Sequence, residues 1–322
     1  MSDLANIFMN HEGYFIDKWE QYIGIYESEL SPFIAAGQPV SLLEIGLQNG
    51  GSLQVWKKYL PVGSRIVGID INPDCARLEP DENTSVHIAD GTDQAALDSV
   101  LGDLTFDIII DDGSHRSDHI ISTYAALFPR IKGGGKFIIE DLHASYWSEY
   151  GGGFRTETSA MEFLKGLVDG LNCDHFRDTG TTRKAEIDHL RDFGRSVARM
   201  TFYDSVAVVE FMKVPRDAAY RQMYSGGETP VMPLSTLFDV GARSHVDTRL
   251  VGRTAARHID RMLLGRINEL SAAQPALGPA TAGTALAAEN QALRAELAAT
   301  KASTSWRITE PIRRLGRLLG KS

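Results

Sequence analysis

Five short apolar runs, each closed by a turn, do most to limit what this chain can fold into. They are SLLEIGL (41–47), RIVGIDI (65–71), SVHIAD (85–90), FDIIIDD (106–112) and KFIIED (136–141). They are rich in β-branched residues and nearly unbroken, as parallel strands covered on both faces must be. Helix-sized segments such as GGSLQVWKKYL and RSDHIISTYAALFPRI lie between them. The alternation predicts a doubly wound α/β sheet. A sixth run, VARMTFYDSVAVVEFMK (197–213), is broken by YDS and is expected to close the sheet as an antiparallel hairpin.

Around this sheet domain, residues 41–215, the rest of the chain sorts by composition. Residues 1–40 read as a helical segment in which Trp19, Tyr22, Ile23 and Tyr26 share a face and are expected to pack on the sheet. Residues 142–196 form a long insertion after the fifth strand, with a helix expected around SAMEFLKGLVDGL. Insertions at strand ends tend to cover a site. Residues 216–273 read as a helical extension and 274–285, QPALGPATAGTA, as a linker. In 286–322 a short heptad places Leu286, Leu293 and Thr300 seven apart, with Asn290 and Leu297 in the alternate seam, so pairing into a homo-oligomer is expected. The last 22 residues carry six Lys/Arg and one Glu, a basic amphipathic tail suited to peripheral contact with a membrane.

The formal net charge of -9 argues against nucleic-acid binding by the body of the protein. The two cysteines, Cys75 and Cys173, give neither a disulfide framework nor a zinc pattern. The first residues lack a secretory signal, and no apolar run approaches the roughly 20 residues that span a bilayer. A cytoplasmic protein is expected, with the tail at the inner face of the cell membrane.

Ligands of a doubly wound sheet sit beyond the carboxyl ends of its strands. The first strand ends EIGLQNGGS, where Gly46, Gly50 and Gly51 allow tight turning and close approach. The second ends in Asp70, whose carboxylate can accept both hydroxyls of a ribose, and the third in Asp90-Gly91, placed for an adenine edge. A nicotinamide dinucleotide wants G-x-G-x-x-G and a site for pyrophosphate. Here the spacing is E-x-G-x-x-x-G-G, and Glu44 adds negative charge. S-adenosylmethionine carries no phosphate, and its sulfonium and ammonium suit nearby carboxylates.

The fourth and fifth strands are expected to be neighbours, which brings Asp111, Asp112, Glu140 and Asp141 to one edge of the cleft. Carboxylates this close raise one another's pKa unless a cation joins them. Oxygen ligands suit Mg²⁺, or Mn²⁺, and such an ion eases deprotonation of a substrate hydroxyl. His115 is the candidate general base. His119, one turn later, is expected to be structural. For His143 a supporting, substrate-binding or packing role is equally open.

The motifs EIGLQNGGSLQVW, GIDI, ADG, DIIIDDGSH, IIEDLHASYW and FYDSVAVVE occur together and in order. Over roughly residues 10–213 they resemble the metal-dependent sugar O-methyltransferases of macrolide antibiotic pathways, which have a Rossmann-like methyltransferase sheet. The resemblance implies S-adenosylmethionine as methyl donor and Mg²⁺ held by Asp112, Glu140 and Asp141. It implies His115 as the catalytic base, and cofactor contacts by Glu44, Gly46, Ser52, Asp70, Asp90 and Asp111, with Gly91 beside them. The tail motif STSWRIT-x-P-I/L-R resembles the ends of bacterial enzymes of surface-polysaccharide assembly. Together these suggest an O-methyltransferase acting on a sugar or glycan in polysaccharide biosynthesis. The alternatives are methylation of a small natural product (a macrolide sugar or other vicinal diol) and a non-catalytic scaffold of a glycan-synthesis complex.

Overall fold

In the computed structural model, described for residues 3–80, 82–176, 184–220 and 230–231, the alternating runs form one seven-stranded sheet. The chain divides into two compact units, and all the elements named here lie in the first, Met1–Asp217. The strands are β1 (Ser41–Ile45), β2 (Arg65–Asp70), β3 (Thr84–Ile88), β4 (Phe106–Asp111), β5 (Ile131–Ile139), β6 (Val197–Phe202) and β7 (Ala207–Phe211). Their order is β3-β2-β1-β4-β5-β7-β6. The first five are parallel, and β7 runs antiparallel to both β5 and β6. The expected five parallel strands and closing hairpin are therefore present. The order reverses between β1 and β4, so the carboxyl ends of those strands open a crevice there.

Strand alternation divides the core in two. Leu43, Ile45, Val67, Ile69, Ile109, Phe137 and Val209 face a layer that includes Leu97 of α4 (Gln94–Leu101), Ile120 and Tyr124 of α5 (Ser117–Leu127) and Leu164 of α6 (Ala160–Gly170). Phe193 of α7 (Lys184–Ser196) joins the same layer. Leu42, Ile66, Ile108, Ile110, Ile138 and Val208 face the opposite layer. That layer holds Leu4 of α1 (Asp3–Met9), Tyr22, Ile25, Tyr26 and Leu30 of α2 (Glu20–Ala36), and Leu53 and Trp56 of α3 (Gly51–Tyr59). The inner strands thus bury both sets of alternating side chains, which is why their runs are unbroken, while the edge strands β3 and β6 are only partly covered.

The helix expected near 159–171 is α6, capped by Ser159, whose hydroxyl accepts from Glu162 N–H. The linker (274–285) and the heptad and tail (286–322) lie outside the described residues, as does nearly all of the extension (216–273). No helix among the described residues is long and apolar enough to cross a membrane.

Candidate active site

One cleft of about 850 Å³ lies over the carboxyl ends of β1, β2, β4 and β5. Of the sequence-derived candidates, Gly46, Ser52, Asp70, Asp90, Gly91, Asp111, Asp112, His115, Glu140 and Asp141 all line it. Glu44 does not. As the fourth residue of β1 it points with Leu42 toward α3, where it is fully buried. Ser52 Oγ donates to it at 2.6 Å and Trp56 Nε1 at 3.2 Å. Glu44 therefore stands behind the glycine turn rather than at its surface.

The turn after β1 is fixed from two sides. Gly46 has φ +87°, and a Cβ on it would stand 2.0 Å from the Asp112 carbonyl oxygen. Only glycine lets β1 and β4 end this close together. Asp70 Oδ2 accepts from Leu47 N–H at 2.7 Å and from Gln48 N–H at 3.2 Å, while Oδ1 accepts from Asn72 N–H at 2.8 Å. The carboxylate expected to receive a ribose also shapes the loop beside it. Asp90 is held by Thr92, whose N–H and hydroxyl donate to Oδ1 and keep its pKa below the ordinary value.

The four acids of β4 and β5 do not meet as one group. Successive residues of a strand point to opposite faces, so Asp111 turns toward the α5 side, with Ile109. Its Oδ1 accepts from Gly113 N–H at 3.3 Å, and its Oδ2 is buried with no partner among the described residues. Burial pushes Asp111 up to about 7. Asp112 and Glu140 turn the other way and are joined by Lys18, which the sequence reading had not singled out. Lys18 Nζ donates to Asp112 Oδ2 at 2.5 Å and to Glu140 Oε1 and Oε2 at 2.9 and 2.8 Å. The Tyr26 hydroxyl also donates to Glu140 Oε1. Burial nevertheless pushes both acids up to about 7, Glu140 further helped by Asp112.

The groups placed to share a metal ion are Asp112, His115 and Asp141, with one ligand atom from each lying within 4.8 Å of the others. Glu140, expected in that set, is not within that distance of all three; its carboxylate is bonded by Lys18, which also bonds Asp112, and by Tyr26. The two carboxylates are of the oxygen type that suits Mg²⁺ or Mn²⁺, whereas the imidazole is not and is left free to act as a base beside them. The unpartnered Asp111 oxygen is a place for a cationic group of a ligand. The residues thus fit both groups that the sequence resemblance implied.

Among the described residues, four of the five non-glycine residues with positive φ belong to this region: Gln48, His115, Asp141 and Ser205. Such residues cost roughly 1–3 kcal/mol each and persist where surrounding structure holds them. Asp141 is held by α2 and by the β6–β7 turn. Tyr22 Oη donates to Asp141 Oδ1 at 2.7 Å and receives Asp141 N–H at 3.1 Å. The expectation that Tyr22 and Tyr26 pack as core is met for their rings, which are 1% exposed, but their hydroxyls end on the site's acids. Trp19 is 56% exposed and lines the cleft. His119 also lines it, with Nδ1 2.8 Å from Ser114 Oγ.

No protein-family profile matches the chain. It is similar to 8-demethyl-8-alpha-L-rhamnosyl tetracenomycin-C 2'-O-methyltransferase of Streptomyces olivaceus, 34% identical over 218 residues, covering 64% of this chain and 54% of the relative. L-olivosyl-oleandolide 3-O-methyltransferase of Streptomyces antibioticus is 34% identical over 181 residues, 52% of this chain and 46% of the relative. Among solved structures, the MycE methyltransferase of the mycinamycin biosynthetic pathway, in complex with Mg, SAH and mycinamycin VI, aligns with a TM-score of 0.54 and 27% identity. That alignment covers 66% of this chain and 54% of that one. The chain spans about half the length of the curated relatives it matches, and those relatives are O-methyltransferases of sugar-bearing natural products.

Proposed function

We propose that this chain is an S-adenosylmethionine-dependent and Mg²⁺-dependent O-methyltransferase acting on a sugar hydroxyl of a glycosylated small molecule. The observation that carries the reading is the joining of two half-sites in one cleft: Gly46, Asp70 and Asp90 at the ends of β1–β3, and Asp112, His115 and Asp141 at the ends of β4 and β5. The activities of the relatives support a natural-product acceptor over surface polysaccharide. The polysaccharide reading drew on a tail outside the described residues. The scaffold alternative gives no reason for mutually repelling buried acids.

When bound, the donor supplies an electrophilic methyl group and the divalent ion lowers the pKa of a hydroxyl. The chain's own residues do the rest. Asp70 and Asp90 offer acceptors to a nucleoside, and Asp111 Oδ2 offers one to an ammonium. Burial lowers the pKa of His115, and the charge of Asp141 offsets this only in part. His115 is therefore neutral at pH 7. With its Nε2 turned to Asp141 Oδ2 at 3.4 Å, Nδ1 carries the lone pair that can take a proton from the acceptor. Holding acceptor and donor in line contributes much of the rate.

The test is methyl transfer from labelled S-adenosylmethionine to a panel of neutral glycosides, sugar nucleotides and polysaccharide, with EDTA and after Mg²⁺ is restored. Transfer to glycosides that stops in EDTA is expected, and calorimetry should show binding of S-adenosylhomocysteine and none of NAD. Undiminished turnover in EDTA would remove the metal from the reading.

A further inference from the structure

We infer that His143 receives an acceptor hydroxyl through Nε2, its tautomer set by a chain of hydrogen bonds from Asp141. The inference deepens the proposed function and rests on it for the identity of the acceptor. The wiring follows from counting protons. Tyr22 Oη lies 2.7 Å from Asp141 Oδ1 and 2.9 Å from Ser205 Oγ, and it accepts Asp141 N–H. It has one proton to give. The carboxylate is the stronger acceptor and the nearer one, so the proton goes to Asp141. The Tyr22–Ser205 contact is then made by the Ser205 proton. Ser205 Oγ lies 2.6 Å from His143 Nδ1 and 3.3 Å from His143 N. Having given its only proton to Tyr22, it must accept from both. Nδ1 therefore carries a hydrogen, and in the neutral ring the lone pair sits on Nε2.

This assignment gives every contact of Tyr22 and Ser205 a proton, whereas the reverse direction, with Ser205 Oγ donating to His143 Nδ1, leaves two oxygens 2.9 Å apart with none between them. His143 Nε2 has no partner among the described residues, and His143 lines the cleft. Its ring is fixed in place edge-on between Trp19, at 5.6 Å, and Trp147, at 4.9 Å. Both indoles line the same cleft. The left-handed backbone of Asp141 and Ser205 is part of what brings the wire together. A lone pair fixed beside the Asp112–His115–Asp141 group fits a diol. One hydroxyl is taken by that group for methylation, and the neighbouring hydroxyl donates to His143 Nε2.

The test uses the full chain with Mg²⁺ and S-adenosylhomocysteine, labelled with ¹⁵N-histidine, His143 being assigned from the His143→Gln variant. Ring-nitrogen shifts should show the Nδ1–H tautomer. Tyr22→Phe removes the oxygen that takes the Ser205 proton, so that proton turns to Nδ1 and the ring should change to Nε2–H. A wild-type Nε2–H ring, or no change in Tyr22→Phe, overturns the wire. The acceptor role is read with 4-nitrophenyl glycosides. For whichever is methylated best, removing the hydroxyl beside the methylated one should raise KM about tenfold in the wild type. In His143→Leu that difference should vanish, while affinity for S-adenosylhomocysteine is unchanged. His143→Gln, with an amide near the Nε2 position, should keep most of it. A difference that persists in His143→Leu overturns the acceptor role with the function intact. If no glycoside is methylated at all, the proposed function and the acceptor role both fall, and the nitrogen shifts still decide the wire.

Discussion

Replacing Lys18 by methionine tests the electrostatics of the site most directly. The ammonium is 6% exposed and bonds two carboxylates, of Asp112 and Glu140, that are 24% and 1% exposed. Glu44, fully buried, adds a third charge nearby. Removing one partner of a buried ion pair leaves an uncompensated charge and costs about 3–5 kcal/mol. In a domain of this size each kcal/mol moves Tm by roughly 2–4 °C, so a loss of about 6–20 °C is expected at pH 8 in EDTA.

The loss must depend on pH, and its direction is fixed. Asp112 and Glu140 already stand at about 7 in the folded chain, above the ordinary carboxylate value of about 4. The folded chain therefore holds protons that the unfolded chain releases, and stability falls as pH rises from about 4 to 7. Without Lys18 both values rise further, so the fall deepens and extends upward. At pH 5 the acids are protonated in the variant and the difference from wild type should shrink to a small part of its value at pH 8. Thermal melts by circular dichroism at the two pH values decide it. Mg²⁺ should also raise the Tm of Lys18→Met more than that of the wild type, because two carboxylates have lost their cation. A Tm gap that is equal at both pH values, or larger at pH 5, would refute the assignment of Lys18 as the counter-charge of this cluster.

Three further outcomes are expected. Gly46→Ala would place a Cβ 2.0 Å from the Asp112 carbonyl at φ +87°; calorimetry should show S-adenosylhomocysteine binding lost, and an unchanged affinity would show that the close approach is not required. Glu29→Gln takes from Lys136, which is 3% exposed, the nearer of its two carboxylates, Glu29 Oε2 at 2.6 Å, and leaves it Glu210 Oε2 at 3.3 Å. Burial works to raise the Glu29 pKa, but Lys136 and Tyr203 outweigh it and hold it below the ordinary value. Its contribution is therefore present above about pH 4 and lost as pH falls further, so the Tm gap to wild type should be wide at pH 7 and close toward pH 3. Finally, for the basic tail we propose peripheral attachment to an anionic inner leaflet, each basic residue near the surface adding about 1 kcal/mol. The full chain should float with anionic vesicles at low salt and a chain ending at Thr300 should not; if neither floats, the tail is no membrane anchor.

The sheet was legible because a parallel strand buries both faces, and unbroken β-branched runs have few other uses. Gly46, Asp70, Asp90 and the acid pairs were legible for a related reason, since each sits where a strand ends and a ligand must lie. Lys18 was not. It stands in no motif, on a loop far along the chain from Asp112 and Glu140, and only the packing of α2 on the sheet delivers its ammonium to them. The hydroxyls of Tyr22 and Tyr26 were hidden for a subtler reason. Their spacing correctly announced a buried helix face, and a buried face is ordinarily apolar, so nothing in the period of 3.6 tells a phenol from a phenyl ring.

The adjacent acids carry a general point about reading strand ends. Two carboxylates side by side look like one binding group, yet the alternation of the strand sends them to opposite faces. Asp111 and Asp112 part in this way. Asp141 escapes the rule because its backbone turns left-handed at φ +53°, which brings it beside His115 instead of repeating the direction of Ile139. The strain is thus what converts two strand ends into one site. It is sustained by Tyr22 from α2 and Ser205 from the β6–β7 turn, two elements that the motif itself does not contain.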